Sequence, residues 1–141
     1  MGDEFLLGTS IAPTRLHVQR RTINSWLDQG FQLVSFNCPE EIEALKDVFP
    51  RVHFVQVNQD GRAQFGRPLV CVDDILDWFA RHCTAVGGFV NSDILLQGVD
   101  AGALRQLIRE QAPGSLVYGR RVELHEWHDV QGRVARFCYD F

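Results

Sequence analysis

Apolar and polar positions alternate along the chain between short extended runs and longer stretches at helical spacing. Residues 5–12, FLLGTSIA, form an apolar extended run closed by Pro13. RLHVQRRTINSWLDQG then sets Leu16, Ile23, Trp26 and Leu27 on one helical face before Gly30 ends it. Residues 31–37, FQLVSFN, alternate as a strand. After them PEEIEALKDVF brings proline and carboxylates into a first helical turn, with Ile42, Leu45, Val48 and Phe49 as its apolar side. Residues 51–58 read as a third strand with apolar positions on both faces. Two glycines and a closing proline mark 59–68 as a loop, longer than the roughly 2–6 residues of a tight connection. Residues 69–83 carry Val72, Ile75, Leu76 and Phe79 along one side of a helix, and 85–93, AVGGFVNSD, read as a short buried strand ending in three polar residues. A last helix runs over 100–113, from Asp100 as an acidic cap to Pro113-Gly114, and 115–124 and 133–141 are further strand candidates.

Strands that alternate with helices of this length predict an α/β fold with a mostly parallel sheet and helices on both faces, because a parallel crossover needs a dozen or more residues. The last two strands need not be parallel. No repeat, low-complexity tract or linker divides the chain, so 1–141 is expected to be one domain. In such sheets ligands bind beyond the carboxyl ends of the strands. That directs attention to 12–15, Asn37, 58–67 and 91–94.

Composition narrows the picture. The chain has 141 residues, 45% hydrophobic and 23% charged, so a single core needs no disulfide or metal to complete it. No stretch approaches the ~20 apolar residues of a membrane span, and MGDEFLLGTS lacks the basic and apolar regions of a signal peptide, so a cytoplasmic protein is expected. A net charge of -4, with basic residues in scattered pairs such as Arg20-Arg21 and Arg120-Arg121, argues against a nucleic-acid surface. Lys46 is the one lysine, which makes arginine the residue to meet any phosphate. Cys38, Cys71, Cys83 and Cys138 have no C-x-x-C spacing and read as buried reduced thiols.

Candidate chemistry sits at two strand ends. Asn91-Ser92-Asp93 brings a carboxylate and two other oxygen-bearing side chains to the end of an apolar strand, the ligand type that suits Mg²⁺ or Mn²⁺ beside a diphosphate; Asp93 could equally cap a turn. TSIAPTR, Thr9 to Arg15 at the end of the first strand, offers hydroxyls, a proline turn and the amino end of a helix to a base or phosphate, or simply an N-cap at Thr14. Neither G-x-G-x-x-G after the first strand nor a P-loop is present, which removes the main support for a dinucleotide oxidoreductase or a P-loop NTPase. His125 and His128 do not match a zinc spacing, and Trp127, among polar neighbours, is a possible platform for a sugar ring.

The succession TSIAPTR, INSWLDQGFQLVSFN, FGRP with an aspartate-containing helix, and GFVNSDI resembles nucleotide-sugar glycosyltransferases of the GT-A type over most of the chain. The resemblance implies a three-layer α/β/α Rossmann-like (GT-A) domain, shortened at its C-terminus relative to the family. It also implies transfer of a sugar from a nucleotide-diphosphate donor to an unknown acceptor with a divalent metal, Mn²⁺ or Mg²⁺. Asn91 and Asp93 occupy the ends of the family's metal-binding D-x-D, with Asn91 in the first acidic position. Thr9, Ser10, Pro13, Thr14, Asn37, Arg67 and Asp74 are the implied nucleotide contacts, and Asp140 the implied acceptor contact or base. The alternative is a non-catalytic nucleotide or nucleotide-sugar binding module of the same fold that lacks the acceptor half. A sheet without its usual final elements would leave an uncovered edge, which association into a homo-oligomer would cover.

Overall fold

The structure, a computed structural model, describes residues 5–82, 86–98 and 100–119. The elements follow in the order β1 (Phe5–Thr9), α1 (Leu16–Asp28), β2 (Gln32–Asn37), α2 (Pro39–Leu45), β3 (His53–Gln56), α3 (Arg62–Phe65), α4 (Val72–His82), β4 (Val86–Phe89) and α5 (Ala101–Gln111). The four strands form one sheet in the order β3-β2-β1-β4, and every pairing is parallel. The α/β alternation expected from the sequence is therefore present.

Strand periodicity sorts the apolar side chains into two clusters. Phe5, Leu7 and Leu33 join one, with Ile23, Leu27 and Trp26 of α1, Leu45 of α2, and Leu104 and Ile108 of α5. Their chain neighbours Leu6 and Val34 point the other way, into a cluster with Phe36, Val57 and the α4 residues Ile75, Trp78 and Phe79. From Leu33 to Asn37, β2 is buried throughout, as a parallel strand between two neighbours must be. Phe79 approaches β1 closely: a Cβ on Gly8 would lie 3.0 Å from its ring and 3.3 Å from Phe36. Glycine lets α4 sit tight against the sheet there.

Several boundaries differ from the sequence reading, each for a local reason. β1 stops at Thr9, not at residue 12, because the Ile11 and Ala12 amides donate to the side chains of Ser35 and Gln19 rather than to a neighbouring strand. The loop over 59–68 contains the one-turn α3, started by Asp60, whose Oδ1 accepts from the Arg62 amide at 2.9 Å, and ended by Gly66 at φ 66°. Helix α2 ends at Leu45, with the Val48 and Phe49 amides both turned back onto the Leu45 carbonyl before Pro50. Asp100 caps α5 as expected, its side chain accepting from the Ala103 amide at 2.8 Å. The strand candidate over 115–124 is not a strand in its described part: 115–119 joins no sheet, and Leu116 and Tyr118 are exposed. The candidate over 133–141 lies outside the described residues. Among the described residues no helix is long and apolar enough to cross a membrane.

Candidate functional site

The strand order determines where a ligand could enter. The chain moves outward from β1 to β2 and β3, then returns to lay β4 on the opposite side of β1. The loops leaving β1 and β4 both turn onto the face that α1 and α5 cover, so they lie side by side at the carboxyl ends of these two strands. Gly8 pairs with Phe89, and the Val90 amide donates to the Gly8 carbonyl at 2.9 Å, so the two exits start level.

A closed ring of hydrogen bonds fixes the first exit. The Ile11 amide donates to Ser35 Oγ (3.0 Å), whose hydroxyl donates to Asn37 Oδ1 (2.5 Å), and Asn37 Nδ2 returns to the Ile11 carbonyl (2.8 Å). Asn37 Nδ2 also donates to Glu41 Oε2 at 2.8 Å, so its amide group is spent inside the protein. Beyond the ring, Ser10, Pro13 and Thr14 are exposed. Thr9 is 2% exposed, and among the described residues its hydroxyl has no hydrogen-bond partner. Such orphans are uncommon in folded proteins, and this one stands at the end of the strand where a ligand is expected.

Thr14 does not cap α1. Arg15 occupies the cap position at φ 46°, ψ 46°, a left-handed conformation that costs a non-glycine residue about 1–2 kcal/mol. No side chain caps the helix, and its first turn holds no acidic residue. The amino end of α1 thus keeps free amide donors and a positive dipole end at the carboxyl end of β1.

The second exit, Asn91 to Ile94, is a tight turn closed by the Ile94 amide donating to the Asn91 carbonyl at 3.1 Å. Asn91 and Asp93 are exposed, while Ser92 between them is half-buried and faces α1. Helix α1 holds this segment with a polar stripe that the sequence reading did not single out. Gln19, 5% exposed, uses its whole amide: Oε1 accepts from the Ala12 amide (3.0 Å) and from Ser92 Oγ (2.7 Å), and Nε2 donates to the carbonyls of Ala12 (2.6 Å) and Thr14. One turn on, the Thr22 hydroxyl meets the Ser92 carbonyl; Ser25 Oγ accepts from the Leu96 amide (3.1 Å), and Trp26 Nε1 donates to the Ile94 carbonyl (2.8 Å). The stripe has a trace in the sequence: polar Gln19, Thr22 and Ser25 recur every three residues beside the apolar face.

Arg67 and Asp74 are exposed on the connection into α4 and in its first turn. Asp140, Trp127, His125 and His128 lie outside the described residues. Another cluster went unread in the sequence. The Arg62 guanidinium reaches Cys38 Sγ (3.3 Å), Glu40 Oε1 (3.4 Å) and Asp60 Oδ2 (3.6 Å), binding α3 to the start of α2. The Glu40 carboxylate is lowered to about 2 by a backbone amide, then by the Cys38 thiol and Arg62. Burial raises the Cys38 thiol, Glu40 adds to this, and the Glu41 amide opposes it. Cys71, expected to be buried, is exposed just ahead of the first turn of α4, whereas Cys38 is buried as expected. Cys83 and Cys138 lie outside the described residues.

Among the described residues no group of three or more His, Cys, Asp or Glu side chains could hold a metal ion. The turn offers one carboxylate, Asp93, and the Asn91 amide oxygen. That set fits a hard cation completed by phosphate oxygens and water, and does not fit a cation held by protein alone. No protein-family model, curated protein or solved structure matches the chain.

Proposed function

We propose that the paired loops at the carboxyl ends of β1 and β4 bind a nucleotide-diphosphate sugar and that the protein transfers the sugar to an acceptor hydroxyl, as a glycosyltransferase of GT-A type. The observation that carries this reading is the convergence, at the reversal of strand order, of an uncapped helix end and a carboxylate-bearing turn, joined through Gln19. Helical residues packed against both faces of a parallel sheet support the three-layer arrangement of that fold. The free donors at the start of α1 suit a phosphate or a base edge, and the unpartnered Thr9 hydroxyl suits a ligand atom at the strand end.

Asn91 and Asp93 would hold the cation, Mn²⁺ or Mg²⁺, with the donor's phosphate oxygens. A cation there neutralises charge that builds on the departing diphosphate. The chain's own part in that half of the reaction is orientation: the Ile11–Ser35–Asn37 ring and the Gln19 amide hold the two loops at fixed separation. Asp140 is proposed as the group that takes the acceptor proton.

A second reading, a non-catalytic nucleotide-sugar binding module, is favoured by the internal saturation of Asn37 and by the single carboxylate of the Asn91–Asp93 turn. Slow release of sugar to water needs no acceptor, so it separates the two. Incubation with UDP-glucose, GDP-mannose and dTDP-glucose in Mn²⁺ should liberate free sugar from at least one donor if the protein is a transferase. A donor that binds and stays intact identifies the module.

A further inference from the structure

The loops leaving β1 and β4 are far apart in sequence but share one acceptor atom. Gln19 Oε1 takes hydrogen bonds from the Ala12 amide and from the Ser92 hydroxyl, and Nε2 of the same group is committed to Ala12 and Thr14. A buried amide with every donor and acceptor used has one orientation, so a shift at either loop strains bonds to the other. The Thr22 hydroxyl, on the same face of α1, braces the Ser92 carbonyl from the other side. We infer that Gln19 is a positioning residue that couples the two loops, so that a nucleoside diphosphate seated on the β1–α1 loop orders the Asn91–Asp93 turn through Ala12, Gln19 and Ser92. The ligand arm rests on the proposed function; the coupling itself is a property of the free protein. Coupling of this kind is reciprocal, so loosening the turn must loosen the loop.

Amide hydrogen exchange on the full chain, followed by NMR, tests both arms. In the free protein, Ser92→Ala removes one hydroxyl but keeps the carbonyl that Thr22 contacts. It should raise exchange at the Ala12 amide by about fivefold or more, while the Leu45 amide within α2 is unchanged. Unchanged exchange at Ala12 would overturn the inference. With whichever of UDP, GDP, CDP or dTDP binds, the wild type should slow in both 10–15 and 90–96. Gln19→Leu should slow in 10–15 alone. Ser92→Ala gives the same comparison if Gln19→Leu fails to fold. A residue that merely stabilised the fold would loosen both segments and leave ligand protection equal in both, so equal protection in the variants overturns the inference. If no nucleotide binds the wild type, the proposed function fails and the free-protein arm decides the coupling alone.

Discussion

Asn37 Nδ2 donates to the Ile11 carbonyl 2.8 Å away, fastening the end of β2 to the chain leaving β1. The residue was expected at the ligand, and its amide is instead consumed by Ile11, Ser35 and Glu41. Its contribution to any site is to hold the first loop in shape. Asn37→Ala would strand the Ile11 carbonyl and the Ser35 hydroxyl in a buried place, so urea unfolding should report a loss of about 2–3 kcal/mol. Asn37→Asp should be worse, because it sets a buried carboxylate beside Glu41.

The contact of Phe79 with Gly8 gives a second expectation. Gly8→Ala brings a methyl to 3.0 Å from the Phe79 ring, closer than packed atoms allow, and should cost about 1–3 kcal/mol of stability in urea unfolding. Phe79→Leu in the same chain should recover part of that loss, since it withdraws the colliding edge. Additive losses would mean that the glycine is not there for α4.

How much of this was legible in the chain follows from which forces act locally. The parallel sheet was legible because apolar runs alternate with helical stretches long enough for crossovers, and that order alone brings Thr9 and Asn91-Ser92-Asp93 to the same end of the sheet. Gln19 was not legible: a glutamine on an amphipathic helix reads as solvated, and only the fold brings a backbone loop and Ser92 around it. Asn37 was found for its place at a strand end, yet its use depends on partners 26 residues back and four residues on. α3 was hidden because one turn between two glycines has too few residues for a period.

Glu40 supplies a pH dependence whose sign is fixed. Its carboxylate is lowered from an ordinary 4.5 to about 2 in the folded chain, so folding binds the ionised form and the contribution is complete above pH 4.5. It is lost as pH falls through about 2. Urea midpoints measured between these limits should decline less steeply in Glu40→Gln than in the wild type. Parallel curves would contradict the carboxylate's part in acid sensitivity.

The two described cysteines should separate by reactivity. Cys71 is exposed, whereas burial both covers Cys38 and raises its thiol, so less thiolate is available. Iodoacetamide at pH 8, followed by peptide mass spectrometry, should label Cys71 first and reach Cys38 fully only in denaturant.

Calorimetric titration with UDP, GDP, CDP and dTDP, with and without Mn²⁺, on the wild type and on Asp93→Ala, tests the proposed nucleotide site most directly. Saturable heat is expected from at least one nucleotide, weakened about tenfold or more, roughly 1.4 kcal/mol, both by omitting Mn²⁺ and by Asp93→Ala. Absence of heat from all four nucleotides, at protein concentrations that would detect millimolar binding, would contradict the account.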